Sequence, residues 1–338
     1  MKKGNQTLEF KNKPKILNTA AVVGPKESEG PLSIYFDLKL DDVLYGEKTF
    51  EKAESKIMQT TVNNLLSKLP VSNSSIDYLF AGDLLNQCIA TGYAVRELEI
   101  PFLGLYGACS TFVESLILAS SFVNAGYGKK VIGCASSHFC SSERQFRLPL
   151  EQGTQRTPSQ QWTVTGCGAA LVSENTNSLK CPVVTYGTVG KIVDMGIKDI
   201  ANMGAAMAPA AFDTIVTHLQ DTRRRADYYD LILTGDLGTL GSEILIDLLK
   251  KQGIDISSIH NDCGKMIFDI EQQDMHAGGS GCGCCATVFS GYVYELLKTK
   301  KINKVLVVAT GALMSPVSLG QGESIPSIAH AIAIENEV

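Results

Sequence analysis

Only one tryptophan and five histidines occur among 338 residues, and no lysine or arginine tract is long enough to follow a phosphate backbone. With a formal net charge of −5, this argues against broad nucleic-acid binding. The densest basic run, Arg223-Arg224-Arg225, is followed by Asp227 and Asp230 and reads as a solvated face. Long apolar runs are missing as well. The most apolar stretches, 113–123 and 284–297, are interrupted by Glu114, Asn124 and Glu295, well short of the roughly 18 residues a membrane span needs. The start, MKKGNQTLEF, has neither an apolar h-region nor a cleavage site. A soluble chain without a transmembrane segment is expected.

Paired C-x-x-C halves are absent too, although there are ten cysteines. Cys282, Cys284 and Cys285 form C-x-C-C with glycines in the gaps, which is poor spacing for structural zinc, so no metal is expected. Reduced thiols are the default, and Cys134, Cys167 and Cys181 read as small buried side chains.

What is present is an internal repeat. An amphipathic stretch, Lys56–Leu69, leads through polar residues into IDYLFAGDLLNQ (76–87); a second, Ala210–Leu219, leads into YDLILTGDLGTL (229–240). Further on, GACSTFVESLILASSFVNAGYGKKVIGCASS (107–137) is answered by GCGCCATVFSGYVYELLKTKKINKVLVVATGA (281–312). Each carries a Gly-rich loop, an apolar helix of about four turns, a Gly/Lys turn and a buried strand. Alternating helices and buried strands predict an α/β fold with parallel sheets covered on both faces. Two similar halves, 1–178 and 179–338, are expected to close into one layered body.

Ligands of such sheets bind outside the carboxyl ends of the strands, and Cys109 lies on a loop of that kind. Gly107-Ala108-Cys109-Ser110-Thr111 precedes the helix Phe112–Val123. A cysteine there meets unpaired N–H groups and the positive end of the helix dipole, which favour thiolate. The plainer alternative is a buried structural cysteine.

The GACST turn, the apolar helix after it, the duplicated halves and the strand WTVTGCGAALV (162–172) together resemble thiolase-fold condensing enzymes, among them the ketoacyl-acyl-carrier-protein synthases. The similarity spans nearly the whole chain and implies a duplicated, layered αβαβα body. Within that superfamily, NMGAAMAPAAFDTIVTHL (202–219), QWTVTG (161–166) and MHAGGSGCG (275–283) resemble the stage V sporulation protein AD group of spore-forming bacteria.

Condensing enzymes pair the cysteine with two residues, His/His or His/Asn, that decarboxylate the partner and hold the oxyanion. Where the first belongs, this sequence has Gly235-Asp236-Leu237; where the second belongs, it has Gly278-Gly279-Ser280. An ionised Asp236 repels a developing oxyanion, and His276, three residues upstream of Gly279, is offset for work sensitive to about 1 Å. A binding protein without catalysis is therefore expected, with no cofactor. A divergent acyltransferase using Cys109 with His276 or His138, and a scaffold with a vestigial cleft, are the alternatives.

Resemblance to the sporulation group implies dipicolinic acid (pyridine-2,6-dicarboxylate) as ligand, alone or with calcium. It also implies other stage V sporulation A proteins of the spore inner membrane as partners, a peripheral location there, and uptake into the developing spore. A planar dianion needs N–H donors or cations and flat apolar surface. Expected contributors are Cys109, His138, Arg144, Arg156, Trp162, Lys198, Asp199, Met203, Met207, Asp236, His276 and Ser280, with Arg147 in the same basic segment. Trp162 and the Met203/Met207 pair equally suit core packing, and surface arginines are usually paired or solvated. Thiolase-fold proteins usually dimerise through the first half's central strand, which makes a homodimer the expectation.

Overall fold

The computed structural model describes residues 1–146, 156–175 and 180–337. Ten strands make its main sheet path: β1 (Lys15–Val23), β2 (Tyr78–Gly82), β3 (Phe102–Gly104), β4 (Lys130–Ser137), β5 (Gly166–Ser173), β6 (Val183–Thr188), β7 (Leu231–Thr234), β8 (His260–Asp262), β9 (Lys304–Ala312) and β10 (Ser327–Glu335). Their spatial order is β8-β7-β9-β10-β6-β1-β5-β4-β2-β3. Read outward from the centre, each half repeats one pattern: first strand, fifth, fourth, second, third. The two first strands meet in the middle through a single antiparallel pairing, Val183 with Lys15. The expected junction between residues 178 and 179 falls in a segment outside the described residues.

The sheets are mixed rather than parallel throughout. β2 is parallel to β3 and β4, and β7 is parallel to β8 and β9. β5 instead runs antiparallel to β4 and β1, as β10 does to β9 and β6. The alternation of helices and strands marks the parallel crossovers, whereas the returns into β5 and β10 run antiparallel although each holds a short helix, α4 (Phe139–Phe146) and Pro316–Gly320.

Near-continuous apolar strands follow from burial on both faces. Alternate side chains enter different cores: Leu79, Ile132 and Leu171 face one side, Phe80, Val131 and Val172 the other. In the second half Ile232, Leu306 and Val308 face outward, while Leu233, Val305 and Val307 face inward. The first outer core is covered by α1 (Phe50–Ser67) and α2 (Ile89–Arg96), the other by α5 (Met203–Thr222) and α6 (Gly238–Lys251). Between the sheets lie α3 (Thr111–Ala125) and the helical run Cys282–Lys298, whose first part, Cys282–Val288, is α7. Five layers, αβαβα, result.

Both helices start earlier than expected: Thr49 caps α1 by accepting from Lys52 N, and Asn202 caps α5 by accepting from Ala205 N. By length and composition the segment Ala108–Ala125 would pass as a membrane span despite Glu114, but it is the core helix of the central layer. Gly168 is required by close packing, since a Cβ there would sit 2.0 Å from the Ala286 carbonyl oxygen on α7.

Candidate functional site

Cys109 sits in a one-turn 3₁₀ segment, Ala108–Ser110, immediately before α3. The turn is tied by side chains: Ser110 Oγ donates to Gly107 O at 2.6 Å, and Thr111 Oγ1 donates to Ala108 O at 2.7 Å. Ala108 is held at φ 51°, a left-handed conformation that costs a non-glycine residue about 1 kcal/mol or more. Strand β9 supports it from behind, where Gly311 approaches Gly107 O so closely that a Cβ would stand 2.6 Å away.

Cys109 opens on a cavity of about 450 Å³, within the usual range for small-molecule sites. Leu84, Tyr106, Phe146, Met203, Leu313 and Met314 give it apolar walls. Asn86, Ser142, Glu143, Thr163, Ser280, Ser315 and Ser318 add polar atoms. Among the described lining residues there is no lysine, arginine or histidine.

Behind this floor stands Asp236, fully buried after β7. Its carboxylate accepts from Thr310 Oγ1 at 2.7 Å, Ser280 Oγ at 3.1 Å and Gly281 N at 3.0 Å, and its charge acts on the Cys109 thiol. Gln161 fixes the backbone by donating to Asp236 O and Gly279 O. Burial pushes the Asp236 carboxyl above its ordinary value, opposed by these donors. Asp262 lies behind in turn, accepting from Thr234, Leu237 N and Gly238 N, and burial pushes its carboxyl up to about 7.

The expectation of a thiolate at Cys109 is corrected. Burial, and next the negative charge of Asp236, push the thiol well above its ordinary value; the Gly281 N–H opposes them only weakly. A helix start does not outweigh a dry site facing a carboxylate. Cys282 beside it donates to Ala108 O at 3.0 Å and is raised by burial likewise.

Of the residues expected at the ligand, Cys109, Met203 and Ser280 line the cavity, with Asp236 one bond behind. The rest are engaged elsewhere. His138 is buried with Nε2 2.7 Å from Val43 O, and burial lowers its basicity. Arg144 pairs with Glu51. Arg156 pairs with Asp274 at 2.8 Å and lies over Trp162, whose ring stacks on Phe139 with centroids 3.8 Å apart. Lys198 donates to Gly322 O, and Asp199 accepts from Ala201 N in an exposed turn. Met207 is packed in the outer core of the second half. His276 has Nδ1 2.7 Å from Thr157 O and Nε2 3.1 Å from Asp274. The other three histidines also hold partners: His218 with Thr188 and Tyr229, His260 with Thr234, His330 with Gly190 N. Arg147 lies outside the described residues. The sequence reading missed Leu84, although the repeated Gly-Asp-Leu placed it at a strand end, and it missed the 313–318 turn, which carries no residue of marked chemistry. Among the described residues no group of three His, Cys, Asp or Glu side chains is arranged for a metal.

Solved structures that share this fold include OleA and 3-oxoacyl-[acyl-carrier-protein] synthase III. OleA from Xanthomonas campestris superposes with a TM-score of 0.61 at 12% identity, covering 97% of this chain and 99% of its own. The 3-oxoacyl-[acyl-carrier-protein] synthase III of Aquifex aeolicus does so with a TM-score of 0.56 at 12% identity, covering 95% and 99%. At that identity the likeness establishes the fold alone. Sequence similarity goes further: stage V sporulation protein AD of Bacillus subtilis strain 168 is 45% identical over 332 residues, 98% of this chain and 97% of the relative. Residues 4–335 match the family described as Stage V sporulation protein AD, and the chain belongs to that family of thiolase-like sporulation proteins.

Proposed function

We propose that this sporulation protein is a non-catalytic carrier of dipicolinic acid, bound as its calcium chelate, that assists uptake into the developing spore together with other stage V sporulation A proteins at the inner membrane. The observation that carries this reading is a small-molecule cavity over Cys109 in which Asp236, not an imidazole, meets the sulfur. Such a floor disfavours an oxyanion and leaves the thiol protonated, so acyl transfer loses both its nucleophile and its electrophilic partner. Apolar walls that include Tyr106 and Phe146 suit an aromatic ring. Among the described lining residues none is cationic, and a chelated calcium ion would offset the charge of a bound dianion there. Asn86, Glu143 and the serine hydroxyls are oxygen ligands of the kind calcium takes.

Equilibrium dialysis against dipicolinate, with calcium or with a chelator, tests the reading. Saturable binding that needs calcium is expected; none in either condition would remove its support. Because Cys109 does line the cavity, incubation with acyl-CoA followed by intact mass measurement is the companion test. An adduct at Cys109 that turns over would replace a carrier with a divergent acyltransferase.

A further inference from the structure

Two turns at the end of the molecule away from the cavity repeat each other. α3 runs on into Gly126-Tyr127-Gly128-Lys129-Lys130, and the helical run that ends at Lys298 continues into Lys300-Lys301-Ile302-Asn303-Lys304. Each turn is held by the aspartate at a neighbouring strand start. Asp77 Oδ2 accepts from Lys129 N at 2.6 Å and Lys130 N at 3.0 Å; Asp230 Oδ2 accepts from Asn303 N at 2.6 Å and Lys304 N at 3.0 Å. Both carboxylates are thus spent on backbone, and Lys129, Lys300 and Lys301 stay exposed.

The segments packed between these turns are basic too. Asn12, flanked by Lys11 and Lys13, bonds Asn124 near the end of α3, and Lys13 and Lys15 share Glu337. Asn336 bonds Leu297 O and Ile302 O, and Lys180 stands just before Pro182, which accepts from Ile16 N. The face so formed holds ten lysines against six acidic side chains (Asp77, Glu174, Asp230, Glu295, Glu335 and Glu337), the reverse of a chain whose net charge is −5. Among the described residues no carboxylate pairs with Lys11, Lys129, Lys130, Lys180, Lys300 or Lys301. Attraction to the carbonyl end of a helix accounts for a lysine in the last turn, which here covers Lys298 and none of these six. Tyr127, 69% exposed, stands among them.

We propose that this face docks on an anionic lipid bilayer and leaves the cavity turned away from the membrane. Cys109 precedes α3 and the Lys129 turn follows it, so its 15 residues, about 22 Å of helix, separate the two. These turns carry lysine and no arginine; ammonium point charges suit lipid headgroups, whereas phosphate backbones favour the arginine fork. An exposed tyrosine between them fits the headgroup layer, where the ring is sheltered and the hydroxyl stays wet. This deepens the membrane location in the reading above and does not depend on what the cavity holds.

Co-sedimentation of the full chain with vesicles tests it. Binding to phosphatidylcholine with about 30 mol% phosphatidylglycerol is expected, with little to phosphatidylcholine alone and release as salt rises to about 0.5 M. Lys129→Glu, Lys130→Glu, Lys300→Glu and Lys301→Glu together should weaken partitioning about a hundredfold or more. The milder pair Lys300→Gln and Lys301→Gln, on an exposed turn, should cost about fivefold or more. Lys48→Glu with Lys52→Glu is the control at the opposite end, flanking the Glu51 that pairs with Arg144 of α4, and should leave partitioning within about twofold. Equal binding to neutral and anionic vesicles, or equal weakening by the control pair, would overturn the docking face. Binding of duplex DNA without binding of vesicles would overturn it in favour of a nucleic-acid partner. Dialysis against dipicolinate on the same samples keeps the two readings apart: anionic-vesicle binding with no ligand binding would strike the carrier and uphold the face.

Discussion

At the scale of single residues, the site is governed by what burial does to charge. Cys109 is held as a thiol by a dry environment and an adjacent carboxylate. Alkylation of the native protein by iodoacetamide at neutral pH, read by peptide mass spectrometry, should therefore be slow at Cys109. Asp236→Asn should accelerate it at least several-fold, since removing the negative charge eases ionisation. Glu27 offers a stability test free of the site. Its Oε1 accepts from Thr165 N, its Oε2 has no partner, and burial pushes it up to about 7. The folded state thus holds a proton that the unfolded chain releases near pH 4, so the contribution is full below about pH 4 and lost as pH rises through about 7. Thermal unfolding should show Glu27→Gln with a shallower loss of stability between about pH 4 and 7 than wild type. Sequence reasoning found the residues whose chemistry is set by position in the chain, Cys109 and Asp236, but not those set by distant partners. Arg144 and Arg156 stood out as a concentration of guanidinium groups in an acidic chain; their partners, Glu51 and Asp274, lie 93 and 118 residues away.

At the scale of elements, the glycine-rich loop before α7 is tightly filled. A Cβ on Gly279 would lie 2.9 Å from Ile267 Cγ2 and 3.3 Å from Phe268 and Val164. Restoring an imidazole by Gly279→His should thus cost roughly 1–3 kcal/mol in denaturant unfolding and give no acyl transfer, because the side chain must displace the loop that carries Ser280. Helix existence and order were legible from apolar periodicity. Strand direction was not: nothing in the composition of β5 and β10 distinguishes an antiparallel return from another crossover.

At the scale of the whole molecule, two copies of one five-strand pattern share a central helical layer, and the N-terminus is fastened across the second copy. Asp221 on α5 accepts from Asn5 N, Gln6 N, Thr7 N and Thr7 Oγ1, holding the strand Thr7–Glu9 against β6. Asp221→Ala should speed amide exchange of residues 5–9 by roughly tenfold or more while core strands stay protected. The repeat itself was readable from the twin Gly-Asp-Leu segments, yet its two aspartates have parted company. Asp83 ties its own loop, accepting from Leu85 N, Thr91 N and Thr91 Oγ1. In the second half that work is done by Asp262, which takes Leu237 N and Gly238 N. With its own loop held by Asp262, Asp236 is left to brace the glycine-rich loop and β9 through Gly281 N, Ser280 Oγ and Thr310 Oγ1, so one repeated segment does different work on the two sides of the cleft.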